Sequence, residues 1–105
     1  MINQFNVVLV SLDPAIGSGI KKTCPCILIS PDDMNKHLNT VIIAPMTTKG
    51  YKAKFRVPTI FNKVNGLILL DQIRVIDKTR IVKNLGNTDK KTIKSVKAIL
   101  AEMFV

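Results

Sequence analysis

Thr40-Val41-Ile42-Ile43-Ala44-Pro45-Met46-Thr47-Thr48 is a nearly continuous apolar run that ends in a pair of hydroxyls. A short run of this kind, rich in β-branched residues and free of charge, reads as a strand buried on both faces. Residues 40–45 are therefore expected at the centre of a sheet. The polar segment Met46-Thr47-Thr48-Lys49-Gly50 follows as a turn at that strand's exposed end.

Upstream of this strand, residues 5–12 are rich in valine and leucine and stop at Asp13-Pro14, which reads as a strand. Residues 13–22 carry Pro14, Gly17, Ser18 and Gly19, a mobile loop composition. Residues 26–30 form a short apolar strand closed by Pro31. A single helical turn is expected next, capped by Ser30, with Asp32 and Asp33 at its positive end.

Downstream, Lys52, Lys54 and Arg56 alternate with Ala53, Phe55 and Val57, the pattern of a half-buried strand with a cationic outer face. Asn65-Gly66 marks a turn into residues 67–70, residues 72–76 form a further strand, and Asp77-Lys78-Thr79-Arg80 closes it. The chain ends in a helix. Thr88 is its expected N-cap, and Ile93, Val96, Ile99 or Leu100, and Met103 make one apolar stripe for packing on the sheet. The expected fold is mainly β with a C-terminal α-helix, a small and strongly curved sheet or barrel. No repeat, linker or biased segment divides it, so residues 1–105 read as a single domain. With little room inside such a barrel, chemistry belongs on its rim.

Sixteen Lys and Arg against seven Asp and Glu give a net charge of +9, which favours a polyanionic partner such as nucleic acid. Lysine dominates, and lysine suits phosphates better than bases. No apolar run approaches the ~20 residues of a membrane span, and the N-terminus lacks a signal-peptide pattern, so a cytoplasmic protein without membrane attachment is expected. Cys24 and Cys26 are too near in sequence for an unstrained disulfide, and one histidine, His37, leaves too few soft donors for a zinc site. No nucleotide fingerprint or metal motif is present, and no cofactor is expected.

What remains is a phosphodiester site built from Lys, Arg, Thr and Asp. RNA brings its own nucleophile, the ribose 2′-hydroxyl, so such a site need only orient it and stabilise charge on the phosphoryl oxygens. DNA lacks that hydroxyl, and a metal-free site would favour RNA.

The sequence resembles the MazF/PemK family of toxin endoribonucleases. The markers are residues 12–18 (Leu-Asp-Pro-Ala-Ile-Gly-Ser), residues 25–31 (Pro-Cys-Ile-Leu-Ile-Ser-Pro) with Asn35 following, residues 40–48, and residues 70–80 (Leu-Asp-Gln-Ile-Arg-Val-Ile-Asp-Lys-Thr-Arg). Four blocks in the right order cover nearly the whole chain. The resemblance implies an SH3-like small β-barrel with a C-terminal helix, working as a homodimer with an RNA groove across the subunit interface. It implies metal-independent, sequence-selective cleavage of single-stranded RNA, often mRNA, leaving 2′,3′-cyclic phosphate and 5′-hydroxyl ends. It also implies a cognate MazE-like antitoxin whose acidic tail occupies the same groove.

Carried over by position, Thr47 stands at the family's catalytic threonine. Asp71 and Gln72 fall on the motif that supplies RNA-contacting and in some members catalytic groups, and Ser18 lies in the loop that closes over substrate. Lys21, Lys22, Thr48 and Arg74 complete the expected RNA-binding set. The family's catalytic arginine is Cys24 here, and a common glutamate is Gly19. A fixed five-donor cation has become a thiol, and losing one such donor typically costs on the order of a hundredfold in rate. Three readings stay open: a weakened or silent homologue, a neighbouring lysine in the arginine's role, or an acquired substitution. Two other classes compete with the enzyme. One is a homologue that binds RNA or antitoxin without cutting. The other is a gyrase-poisoning relative, disfavoured because Glu102-Met103-Phe104-Val105 lacks that group's aromatic C-terminus.

Overall fold

The structure is a computed structural model and describes residues 2–13 and 22–105. Among the described residues, seven strands and two α-helices follow in the order β1 (Asn6–Asp13), β2 (Lys22–Leu28), α1 (Asp32–His37), β3 (Thr40–Thr47), β4 (Arg56–Phe61), β5 (Val64–Leu69), β6 (Arg74–Asp77), β7 (Ile81–Asn87) and α2 (Lys90–Met103). The sheet runs β4-β5-β3-β2-β1-β7, with β6 also on β3, and all pairs are antiparallel. This is the curled, mainly β architecture with a terminal helix that the sequence predicts.

β3 is the central strand, and it changes partner along its length. Its first half pairs with β6 from Thr40↔Asp77 to Ile43↔Arg74, and its end pairs with β5 at Met46↔Ile68 and Thr47↔Leu67. Ala44 and Pro45 have no partner on that edge. Proline has no N–H to offer a ladder, so Pro45 fits where the ladder is interrupted. β3 thereby passes from one partner to the other along its length.

Alternation along β1, β2 and β3 then fills both faces. Val8, Val10, Cys26, Leu28, Val41 and Ile43 form one buried cluster with Ile76. Ile27, Ala44 and Ile68 face the other way and pack with Phe5, Leu70 and Val96. Val96 is fully buried, and Ile93, Ile99, Leu100 and Met103 of α2 lie against the same cluster, as the apolar stripe predicts. Burying a valine of this kind contributes about 2 kcal/mol.

Several expectations are corrected. Residues 52–55 are not strand: residues 54–55 turn, the Arg56 N–H donates to the Ala53 carbonyl at 3.1 Å, and β4 begins at Arg56. The partner strand has run out by then, since Arg56 already faces Leu69, the last residue of β5. Asn65-Gly66 is inside β5, and the hairpin turns at Asn62-Lys63, both at positive φ (49° and 65°), between Phe61 and its partner Val64. Residues 72–76 begin in a 3-10 turn, Leu70–Gln72, before β6.

Neither expected cap residue caps its helix. Pro31 is the N-cap of α1, and the Ser30 hydroxyl instead donates to Asn35 Oδ1 and accepts from the Ile42 N–H at 3.0 Å. Asp89 is the N-cap of α2, while Thr88 Oγ1 donates to the Phe5 carbonyl at 2.7 Å and ties the helix start to the residue that precedes β1. In both cases a buried hydroxyl takes a long-range partner that a cap bond would forgo.

Candidate active site

β2 and β3 run antiparallel with Cys26 opposite Pro45, and continuing that register by two residues brings Cys24 alongside Thr47. The Cys24 Sγ lies 3.7 Å from the Met46 carbonyl oxygen, which confirms that Cys24 reaches the end of β3. Cys24 thus lies at the end of β3 where Thr47 is the last residue. Thr47 Oγ1 accepts the Lys49 N–H at 3.1 Å, a local turn bond that orients the hydroxyl and leaves its own proton free to donate.

The Thr47 backbone is held from the other side by β5. At Gly66 a Cβ would come within 2.9 Å of the Thr47 carbonyl oxygen, too close for a side chain. Gly66 sits in mid-strand because the two backbones approach there. Beside them opens a largely apolar cavity of about 260 Å³, lined by Pro25, Met46, Thr47, Thr48, Phe61 and Leu85 among others. A larger, open cleft of about 570 Å³ adjoins it. Thr48 and Gly66 border both, and Lys52, Lys91 and Ser95 line the cleft's far side.

Asp71 arrives by a different route. Arg56 pairs with Leu69, the Leu70 N–H donates to the Phe55 carbonyl at 3.1 Å, and the next residue presents its carboxylate to the Arg56 guanidinium. Nε and Nη2 of Arg56 donate to Oδ1 and Oδ2 of Asp71 at 3.2 Å each, a fork-on-fork pair. The Arg56 side chain is only 15% exposed, and the Tyr51 ring lies 4.9 Å from its guanidinium carbon. Asp71 holds the guanidinium's charged state above its ordinary pKa.

The thiols differ. The Cys26 thiol, on the same strand face, hydrogen-bonds the Cys24 sulfur and lowers its pKa to about 6, against the opposing effect of burial, with a smaller contribution from the Met46 backbone. Cys26 is fully buried, and its own pKa is raised by that same hydrogen bond and by burial. Cys24 is half-buried; both are free.

Of the residues expected in the site, Thr47 and Thr48 line one cavity, Cys24 reaches the Met46 carbonyl beside them, and Asp71 is linked to this rim through Arg56, whose Nη1 borders Gly50. Lys22 opens β2, exposed, two residues before Cys24. Gln72 is exposed at the end of the 3-10 turn. Arg74 faces Ile43, four residues up β3 from Thr47. Ser18 and Lys21 lie outside the described residues. Arg56 is the residue that sequence reasoning assigned only to a cationic strand face; the alternation Lys52-Lys54-Arg56 was the available signal, and nothing in it singled out the last member. Among the described residues no three His, Cys, Asp or Glu side chains gather as a metal site, and no helix is long and apolar enough to cross a membrane.

Residues 3–104 match the model of a family described as PemK-like, MazF-like toxin of type II toxin-antitoxin system. The chain is 33% identical over 102 residues to "Endoribonuclease MazF" of Staphylococcus saprophyticus, covering 91% of this chain and 85% of that protein. Among solved structures it resembles a mycobacterial endoribonuclease in complex with its cognate antitoxin, with a TM-score of 0.80, 20% identity, and coverage of 97% of this chain and 93% of the other. A MazE-MazF structure from Deinococcus radiodurans gives a TM-score of 0.81 at 21% identity, covering 97% and 94%.

Proposed function

The chain belongs to the PemK-like, MazF-like toxins of type II toxin-antitoxin systems, and on that premise we propose that it is an endoribonuclease cutting single-stranded RNA at the rim formed by Cys24 and Thr47. The contact of Cys24 with the Met46 carbonyl, one residue before Thr47 at the end of β3, is the observation that carries the reading. The substrate's 2′-hydroxyl attacks the adjacent phosphorus, the bond to the departing 5′-oxygen breaks, and the products carry a 2′,3′-cyclic phosphate and a 5′-hydroxyl. No metal is required for that displacement. Thr47 donates to a phosphoryl oxygen as negative charge builds. The exposed lysines and the net charge of +9 draw the strand in and make binding fall with salt.

The chain works as a homodimer in the cytoplasm and is held silent by an acidic antitoxin segment that competes for the same basic surface. The exposed apolar side chains of Ile60 and Val64, on the β4–β5 hairpin, and of Val75 and Val82 supply surface for a second copy. Residues 1–105 act as one toxin domain.

Incubating the purified chain and its Cys24→Arg variant with a long RNA, without metal, tests the reading. Cleavage products with 5′-hydroxyl ends are expected, faster with the variant. If neither protein cuts and neither slows growth on expression, the enzyme reading fails.

A second reading is favoured by one observation, the thiol at position 24. A chain without its cation could hold RNA or antitoxin and not cut. It predicts salt-sensitive RNA binding, no cleavage by the native chain, and cleavage restored by Cys24→Arg.

A further inference from the structure

An RNA-cutting rim with Thr47 as its hydroxyl donor still needs a fixed cation, and Cys24 cannot be one. Among the described residues Lys22, Lys49 and Lys52 are exposed, and none can offer a planar fork. Arg56 differs from all of them. Its Nε and Nη2 are anchored on Asp71, and its face is covered by Tyr51. The anchoring consumes one side of the guanidinium and leaves Nη1 on the other side. That nitrogen faces the turn after β3: a Cβ placed on Gly50 would lie 3.6 Å from Arg56 Nη1 and 3.9 Å from Thr47 Cγ2. Gly50 has φ of +118° and carries no side chain, so no Cβ occupies the position that neighbours both Nη1 and the Thr47 methyl.

We infer that Arg56 supplies, through Nη1, the cation that position 24 withholds, with Asp71 as the residue that positions it. This rests on the endoribonuclease reading above and adds to it the identity of the charge-stabilising group. Nη1 and the Thr47 hydroxyl converge on the same phosphoryl group, the guanidinium taking the charge that builds as the 2′-oxygen attacks. A side chain already held by two hydrogen bonds and an aromatic ring loses little further freedom on meeting substrate, which is the form of preorganisation that acts on rate and not on affinity alone. Asp71 has no direct part in the proton transfers. Its two oxygens accept from Arg56, and it acts by fixing which nitrogen faces the turn.

The test is single-turnover cleavage of a long transcript, without metal, by the native chain, Arg56→Gln, Arg56→Lys, Asp71→Asn, Cys24→Arg, and the pairs Cys24→Arg/Arg56→Gln and Arg56→Gln/Asp71→Asn. Arg56→Gln is expected to slow the native chain about a hundredfold, and Arg56→Lys to recover little of that, because lysine lacks the fork. With arginine restored at position 24, the same Arg56→Gln change is expected to cost about tenfold or less. Asp71→Asn is expected to slow the native chain but to add nothing once Arg56 is already glutamine, a coupling that a merely structural role would not show. Activity of the Cys24→Arg/Arg56→Gln pair also shows that Arg56→Gln folds. The inference is overturned if Arg56→Gln cuts as fast as the native chain, or if it loses equally in both backgrounds. A native chain that is inert beside an active Cys24→Arg variant also overturns it while leaving the family activity standing. Inert variants throughout sink the enzyme reading itself.

Discussion

Gly66 presses its backbone against the Thr47 carbonyl so closely that a methyl group there would sit 2.9 Å from the oxygen. The contact falls in the two-pair ladder that joins the β4–β5 hairpin to the end of β3. Gly66→Ala must push the strands apart, and overpacking of this kind costs about 1–3 kcal/mol. Because Thr47 is at the point of contact, RNA cleavage is expected to drop by about tenfold or more beyond the loss of folded protein. Comparing turnover with a thermal melt on the same sample separates the two. Unchanged turnover per folded molecule would show that the Thr47 hydroxyl is set by something else.

The hairpin turn offers a change in the opposite direction. Lys63 stands at φ 65°, where a side chain is strained and glycine is not. Lys63→Gly creates the Asn-Gly pair that two-residue hairpins favour. A gain of about 0.5–1 kcal/mol in urea unfolding is expected. A loss would mean that the lysine's own contacts outweigh the relief of strain.

The two cysteines should react very differently. Cys24 is half-exposed with a pKa lowered to about 6, whereas Cys26 is fully buried with its pKa raised. Above pH 6 the Cys24 thiolate predominates, so its alkylation by iodoacetamide is expected to accelerate as pH rises through about 6 and then level off. Peptide mass spectrometry should find Cys24 modified at pH 7 and Cys26 intact. Equal labelling, or a rate that keeps climbing to the ordinary thiol range near pH 8.5, would contradict the depressed value.

Ser30 and Asn35 form a buried polar pair that fastens α1 to the sheet. Asn35 Nδ2 returns a bond to the Ser30 carbonyl at 2.9 Å, while the Ser30 hydroxyl serves both Asn35 and Ile42. Asn35→Ala strands polar atoms on Ser30 and is expected to lower stability by about 1–3 kcal/mol. The site is on the far end of β3, so turnover per folded molecule should hold. An activity loss exceeding the stability loss would link α1 to the chemistry.

The strands most visible in the sequence are those with clean periodicity: residues 5–12, the apolar run at residues 40–45, and the stripe of α2. Each is long enough for burial to dominate its pattern. The edge of the sheet was harder to read. Residues 52–57 alternate as a strand should, but β5 ends too early to pair with most of them, and pairing is not written in a single segment. Asn65-Gly66 has turn composition, yet Gly66 is required by a neighbour that arrives from β3. Residues 81–87 mix charge, amide and glycine, and only their pairing with β1 makes them β7. In the site, Thr47 and Cys24 were legible because a resemblance aligned them. Arg56 was not, because its distinction from Lys52 and Lys54 lies wholly in the partners that the fold brings: Asp71, Tyr51 and the bare backbone of Gly50.

The partner change at Ala44-Pro45 has a mechanical side. The β4–β5 hairpin is tied to the main sheet by the two residue pairs at Met46 and Thr47, and otherwise leans on α2 and the 3-10 turn. Load applied to the hairpin, whether from a bound strand or a docking protein, is therefore delivered to the last two residues of β3. Thr47 is part of the fastening, and because Val57 and Ile68 of the hairpin are also core residues, anything that prises the hairpin loose disturbs the end of β3 and the core together.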